Sequence, residues 1–141
     1  LIRKTRRVVP DNIRYVKEMG KEIDKINMFF TDMEARKRMR VSLGQIPGIL
    51  VTSSIPNNLE INAAGADKGS ALLRLAEFLG IGREETMAFG DGENDLSMLR
   101  AAGLGIAMEN GEEQVKQAAD FVTVSNNDAG VASAIRKFVL E

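Results

Sequence analysis

The sequence has no histidine, no cysteine and no tryptophan, and only three prolines and one tyrosine among 141 residues. Each absence removes a class of chemistry. Zinc centres draw ligands from Cys or His, disulfides need Cys, and Ser–His or Cys–His nucleophilic pairs need an imidazole. Any catalysis therefore falls to carboxylates, lysine, hydroxyls or a hard metal ion. An excess of one charge is also lacking: 20 acidic against 19 basic side chains give a formal net charge of -1, which argues against a dedicated nucleic-acid binder. No apolar run approaches the roughly 18 to 20 residues of a membrane span, and the N-terminus carries no apolar signal-peptide core. The expectation is a cytoplasmic protein with neither a membrane nor a nucleic acid as partner. The 44% hydrophobic content suffices for one modest domain or two small ones. The chain starts at Leu1 rather than Met, which suggests a processed or truncated piece.

Two textures meet near Gly65. In the first half, Pro10 and Asp11 open a helical pattern through Ile13, Val16 and Met19 that Gly20 closes. An extended stretch from about Glu22 to Phe30 follows, and Thr31 and Asp32 cap a helix running to about Leu43. Ile49–Ser53 and Leu59–Asn62, split by Pro56, Asn57 and Asn58, read as a hairpin. The second half alternates helices with short strands that are apolar on both faces. The helix 67–79 carries Ala71, Leu72, Leu75, Phe78 and Leu79 on one stripe. Strand 87–89, helix 93–102, strand 104–108, helix 112–119, strand 121–124 and helix 128–140 follow. This rhythm predicts an α/β fold with a parallel, doubly wound sheet, preceded by a small α+β layer.

Ligands of such sheets bind at the carboxyl ends of the strands. The loop after 87–89 reads Gly90, Asp91, Gly92, Glu93, Asn94, Asp95. Asp91 and Asp95 lie four apart across a strand-to-helix turn, where they can converge on a hard cation or simply serve as acidic caps. Lys68 stands in the first turn of helix 67–79, where the dipole disfavours a cation; it either neutralises a bound phosphate or is a solvated side chain.

These features occur within LEINAAGADKGSA (59–71), LGIGREETMAFGDGENDLSML (79–99), AAGLGIAMENG and ADFVTVSNNDAGVASAI. Together the segments resemble the haloacid dehalogenase superfamily, and more narrowly its Cof-type, class IIB magnesium-dependent sugar-phosphatase branch. The resemblance implies residues 1–64 as the C-terminal part of an α/β cap and residues 65–141 as the later half of a Rossmann-like hydrolase core. It implies a phosphohydrolase acting on a small phosphorylated metabolite through an aspartyl-phosphate. Lys68 would hold the transferring phosphoryl group, Asp91 would bind Mg2+, Asp95 would hold a metal-bound water and the loop, and Asn94 would touch phosphate. Glu93, at a position that varies in the family, is expected to face solvent.

The family's nucleophile and acid/base are the two Asp of a DxD motif, and the chain contains no DxD. The expectation is a C-terminal fragment, inactive alone, whose strand 87–89 leaves an edge open for self-association or for pairing with a missing N-terminal half. A phosphomutase on the same scaffold, or a non-catalytic piece that binds magnesium and phosphate, are the competing functions. Basic clusters at Arg3, Lys4, Arg6, Arg7 and at Arg36, Lys37, Arg38, Arg40 either steer anions or are solvated. The seven methionines are expected to fill the core, and Asn126 and Asn127 to cap the last helix.

Overall fold

A computed structural model of the chain describes residues 7–140, so Arg3, Lys4 and Arg6 of the first basic cluster lie outside the described residues. Asp11 caps α1 (Asn12–Met19), accepting from the Arg14 N–H at 3.0 Å. After β1 (Ile26–Phe29), Asp32 caps α2 (Met33–Gly44) by accepting from the N–H groups of Glu34 and Ala35. β2 (Ile49–Thr52) and β3 (Asn58–Ala63) form the expected hairpin, and β1 joins the other side of β3. The sheet order is β1-β3-β2, antiparallel throughout. Because successive strand residues point to opposite faces, the register sorts this sheet into two. Met28 lies opposite Leu59 and Val51 opposite Ile61, an apolar face with Leu59 fully buried; α2 packs against β2 and β3. Thr52 lies opposite Glu60 and Leu50 opposite Asn62 on the other, more polar face.

The second half is a parallel sheet, as the rhythm of the sequence predicts. Asp67 caps α3 (Lys68–Leu79), and β4 (Met87–Gly90), α4 (Leu96–Ala101), β5 (Leu104–Met108), α5 (Glu113–Ala118), β6 (Phe121–Thr123) and α6 (Gly130–Ile135) follow. The order is β4-β5-β6, so β4 is an edge strand bonded to β5 alone among the described residues. Its core is made of small and medium side chains, Ala88, Leu99, Ala102, Ala107 and Val115, with Leu72 and Leu96 packed against it. Such a core demands close backbone approach: a Cβ on Gly105 would fall 2.3 Å from the Leu99 carbonyl oxygen.

Five expectations are corrected. The helix expected at 93–102 is split into a 3-10 turn (Glu93–Asp95) and α4. The turn arises because the Asp95 N–H bonds back to the Gly92 carbonyl at 2.9 Å, tightening the first turn after the strand. The last helix begins at Gly130 rather than Asp128. Ser125, not Asn126 or Asn127, provides the side-chain cap, for a 3-10 turn, and Ala129 turns the chain at φ 57°. On α3 the side turned inward carries Gly69, Leu72 and Ala76, while Leu75, Phe78 and Leu79 are exposed, Phe78 at 84%. Of the methionines only Met108 is buried; Met19, Met33 and Met39 are exposed.

Candidate functional site

The loop leaving β4 is built around one buried carboxylate. Asp95 is 5% exposed, and its Oδ2 accepts from the N–H groups of Asp91 at 3.0 Å and Gly92 at 3.2 Å. Its Oδ1 takes the Lys68 ammonium in an ion pair. Gly90 makes room for this arrangement, since a Cβ there would meet the Asp95 Cβ at 2.5 Å. Both Asp95 oxygens are thus engaged in shaping the loop. Asp91 contrasts with it. Its backbone is pinned on both sides, with the N–H on Asp95 and the carbonyl accepting from Glu112 N–H at 2.9 Å, while the residue remains exposed at the carboxyl end of β4.

Lys68 reaches this loop because α3 docks tightly on α4. Asp67 accepts from the N–H groups of Gly69 at 2.9 Å and Ser70 at 3.0 Å, and from the Ser70 hydroxyl at 2.9 Å. The Ser70 N–H and then the Ser97 hydroxyl lead the donors that hold the Asp67 carboxyl below its ordinary value, against the opposing push of burial. The Gly69 N–H also donates to Ser97 Oγ at 3.1 Å, stitching the start of α3 to α4. Lys68 is the first residue of α3, where its charge is unfavourable to the helix; the buried Asp95 compensates it.

A cavity of about 600 Å³ opens between the two sheets. Lys68, Asn94 and Ser97 line it from the parallel sheet, and Lys25, Thr52 and Glu60 from the antiparallel one. Four of the residues singled out from the sequence therefore gather at one place: Lys68 and Asp95 in contact, Asp91 beside them on the loop, and Asn94 at the cavity. Glu93 corrects the expectation of a solvent-facing residue. It forms a two-pronged ion pair with Arg40 of α2, one arm at 3.1 Å, and ties the loop to the antiparallel half. The basic cluster of α2 divides between packed partners and exposed local pairs. Arg36 donates to the Asn58 carbonyl and Ser53 Oγ, each at 2.9 Å, Lys37 pairs with Glu34, and Arg38 lies 4.0 Å from Asp32.

Sequence reasoning missed Ser97, Lys25 and Glu60 as parts of this region, and took Arg40 only as one member of a basic cluster. Glu60 alone carried a signal, a charged residue between Leu59 and Ile61 in a short strand. It is 7% exposed and accepts from Ser54 Oγ at 2.6 Å, Lys25 Nζ at 2.8 Å and Asn58 Nδ2 at 3.4 Å. Burial pushes its pKa up, but these donors, Lys25 first, outweigh burial and the net direction is down.

The carboxylates suit a hard cation in donor chemistry, since magnesium is commonly held by one or two carboxylates with water and substrate oxygen completing the shell. No group of three or more acidic, His or Cys side chains converges among the described residues.

Among known proteins, a Bacillus subtilis 5-amino-6-(5-phospho-D-ribitylamino)uracil phosphatase is 42% identical over 109 residues, covering 77% of this chain and 44% of that protein. A haloacid dehalogenase-like hydrolase structure from B. subtilis superposes with a TM-score of 0.78 at 37% identity, over 87% of this chain and 45% of the other. A HAD subclass IIB sugar phosphatase gives 0.77 at 34% identity, over 88% and 46%. The chain thus spans under half the length of these relatives. Their fold agrees with the parallel sheet and helices described above. The haloacid dehalogenase-like hydrolase family matches residues 2–135, and the chain belongs to that family.

Proposed function

We propose that this chain is the later part of a magnesium-dependent phosphatase of small phosphorylated metabolites, sugar phosphates or similar, with residues 1–64 acting as the tail of a cap and residues 65–141 as the later half of the catalytic core. The observation that carries this reading is the Lys68–Asp95 ion pair at the carboxyl end of β4, with Asp91 and Asn94 on the same loop. Phosphoryl transfer is catalysed mainly by positioning and by neutralising negative charge. Lys68, half-exposed and at the cavity, provides a cation for the phosphoryl oxygens. The Asn94 amide, also at the cavity, supplies donors to the same group. Asp91 would hold Mg2+ with Asp95 behind it, and the metal would contribute Lewis-acid charge neutralisation when bound. Asp95 fixes both partners at once, gripping the Asp91 backbone and the Lys68 amine.

No residue here is assigned as nucleophile, because the chain has no DxD. In this reading the attacking carboxylate lies on a strand that pairs with the free edge of β4, and an edge left unpaired promotes association. The similarity to the ribitylamino-uracil phosphatase supports a phosphorylated polyol or sugar derivative as substrate class. The experiment is hydrolysis of p-nitrophenyl phosphate with Mg2+. The full-length gene product is expected to be active and its Asp91→Ala variant to lose at least about a hundredfold in kcat, while this chain alone shows negligible turnover. Robust hydrolysis by the chain alone, abolished by Asp91→Ala, would overturn the assignment of the nucleophile to a segment outside it.

A further inference from the structure

Lys25 and Glu60 lie on the same cavity as Lys68 but have no part in the phosphate chemistry above. Glu60 stands in the central strand of the antiparallel sheet, on the face that carries Thr52 and Asn62, away from the apolar face of Leu59 and Ile61. A buried carboxylate is costly unless its oxygens are satisfied. Three donors reach it: Ser54 Oγ on Oε1, Asn58 Nδ2 on Oε1 and Lys25 Nζ on Oε2. Asn58 is itself held by the N–H groups of Ser54 at 3.1 Å and Ile55 at 3.2 Å, and is 2% exposed. Glu60 is therefore braced in one position by a turn that does not need to move.

What this pair leaves unused defines a ligand. A carboxylate offers about four lone-pair positions and an ammonium three protons. Glu60 has one acceptor position left and Lys25 two donors, the Lys25 side chain being 43% exposed. A second phosphate would be repelled by Glu60, and a cationic group by Lys25. A hydroxyl both donates and accepts, so adjacent hydroxyls satisfy the two residues together. A preorganised donor and acceptor of this kind discriminate strongly, because a ligand lacking hydroxyls leaves them unpaired.

We propose that Lys25 and Glu60 form the recognition site for the phosphate-free part of the substrate, and that this part carries neighbouring hydroxyls. The proposal rests on the phosphatase reading above. It makes Lys25 and Glu60 specificity-determining residues and leaves the phosphoryl group to Lys68.

The test measures kcat and KM of the full-length gene product, with Mg2+, on sorbitol 6-phosphate and on p-nitrophenyl phosphate, which has an aromatic ring in place of hydroxyls. Lys25→Met is expected to raise KM for sorbitol 6-phosphate about tenfold or more, and to lower the ratio of its kcat/KM to that of p-nitrophenyl phosphate by the same factor. Glu60→Gln is expected to move the ratio in the same direction. Lys25 is the deciding position: its side chain is half-exposed, Glu60 keeps the Ser54 and Asn58 donors without it, and a wild-type circular dichroism spectrum and melting midpoint establish that the fold is intact. A ratio within twofold of wild type in Lys25→Met, or parallel losses on both esters, overturns the proposal and leaves the phosphatase reading standing. A wild type that hydrolyses neither ester overturns the phosphatase reading and this proposal with it.

Discussion

Gly69→Ala isolates the contact that brings Lys68 to Asp95. By intrinsic helix preference the substitution should stabilise α3 by up to about 1 kcal/mol. The structure reverses the sign. Gly69 is buried, and a Cβ there would lie 2.4 Å from the Ser97 carbonyl oxygen and 2.7 Å from its carbon, both backbone atoms of α4 that no rotamer change can relieve. Restoring an ordinary contact of 3.4 Å or more parts the two helices by about 1 Å. Overpacking costs about 1–3 kcal/mol, and two backbone atoms in the way put this case in the upper part of that range, about 2–3 kcal/mol; less the helix-preference gain, the net expectation is a loss of about 1–2 kcal/mol. The matched control is Gly44→Ala at the end of α2, which is exposed with no atom within 4 Å of an added Cβ. That change should be neutral or stabilising, by up to about 1 kcal/mol. Urea unfolding followed by circular dichroism reads both: with m of about 2 kcal/mol/M, Gly69→Ala should lower the midpoint by about 0.5–1 M without changing m. A Gly69→Ala protein as stable as wild type, or one that shifts in the same direction as Gly44→Ala, would refute the close α3–α4 packing and with it the placement of Lys68.

Two further outcomes follow from the polar network. Asp95→Ala strips acceptors from two N–H groups and leaves Lys68 unpaired, and should cost about 2–4 kcal/mol; Asp95→Asn keeps an acceptor for the N–H groups and should cost only about 1 kcal/mol, because half-exposed Lys68 is screened by solvent. Equal losses in urea unfolding would show that the ion pair, and not the backbone bonds, shapes the loop. The pH dependence runs from the acid side: Glu60 and Asp67 have carboxyls lowered from ordinary values of 4.5 and 3.8. Their contribution is therefore complete above those values and is lost as pH falls through the lower folded ones. Glu60→Gln should be less stable than wild type at pH 7, with the gap narrowing below about pH 4; a gap independent of pH between 7 and 3 would count against a Glu60 held ionised.

The parallel half was legible in the sequence because its strands are short, apolar on both faces and separated by helices, a pattern that only a covered parallel sheet explains. Asp32 was legible as a cap, and it accepts the backbone N–H groups of Glu34 and Ala35 that its position predicts. The inward side of α3 was not legible. Its largest apolar residues form a stripe at helical spacing, but the contact with α4 is made where the backbones come nearest, at Gly69, and a residue without a side chain leaves no mark in a hydrophobic pattern. The exposed Leu75, Phe78 and Leu79 are what that geometry leaves behind.

The same asymmetry governs the site. Asp91, Asp95, Asn94 and Lys68 stand in two short motifs, where local spacing and a strand-exit position are enough to suggest a role. Arg40 and Glu93 are 53 residues apart, and Lys25 and Glu60 are 35 apart. Nothing local distinguishes Arg40 from Arg36 or Arg38, its neighbours in one basic run, yet Arg36 binds the hairpin and Arg40 binds the loop. Their separation of four residues puts both on one side of α2, one turn apart, so Arg36 is anchored to the hairpin while Arg40 extends to Glu93. Two members of the charge run, Arg36 and Arg40, are in this way cross-links to other elements, while Lys37 and Arg38 make exposed pairs within α2 and with its cap. The cations that line the cavity come from elsewhere, Lys68, Arg74 and Arg100 from the parallel half and Lys25 from the antiparallel half. In the proposed reading a substrate bridging Lys68 and Lys25 has its phosphate and its hydroxyls recognised by separate halves of the chain, and the Arg40–Glu93 ion pair is one tie between those halves.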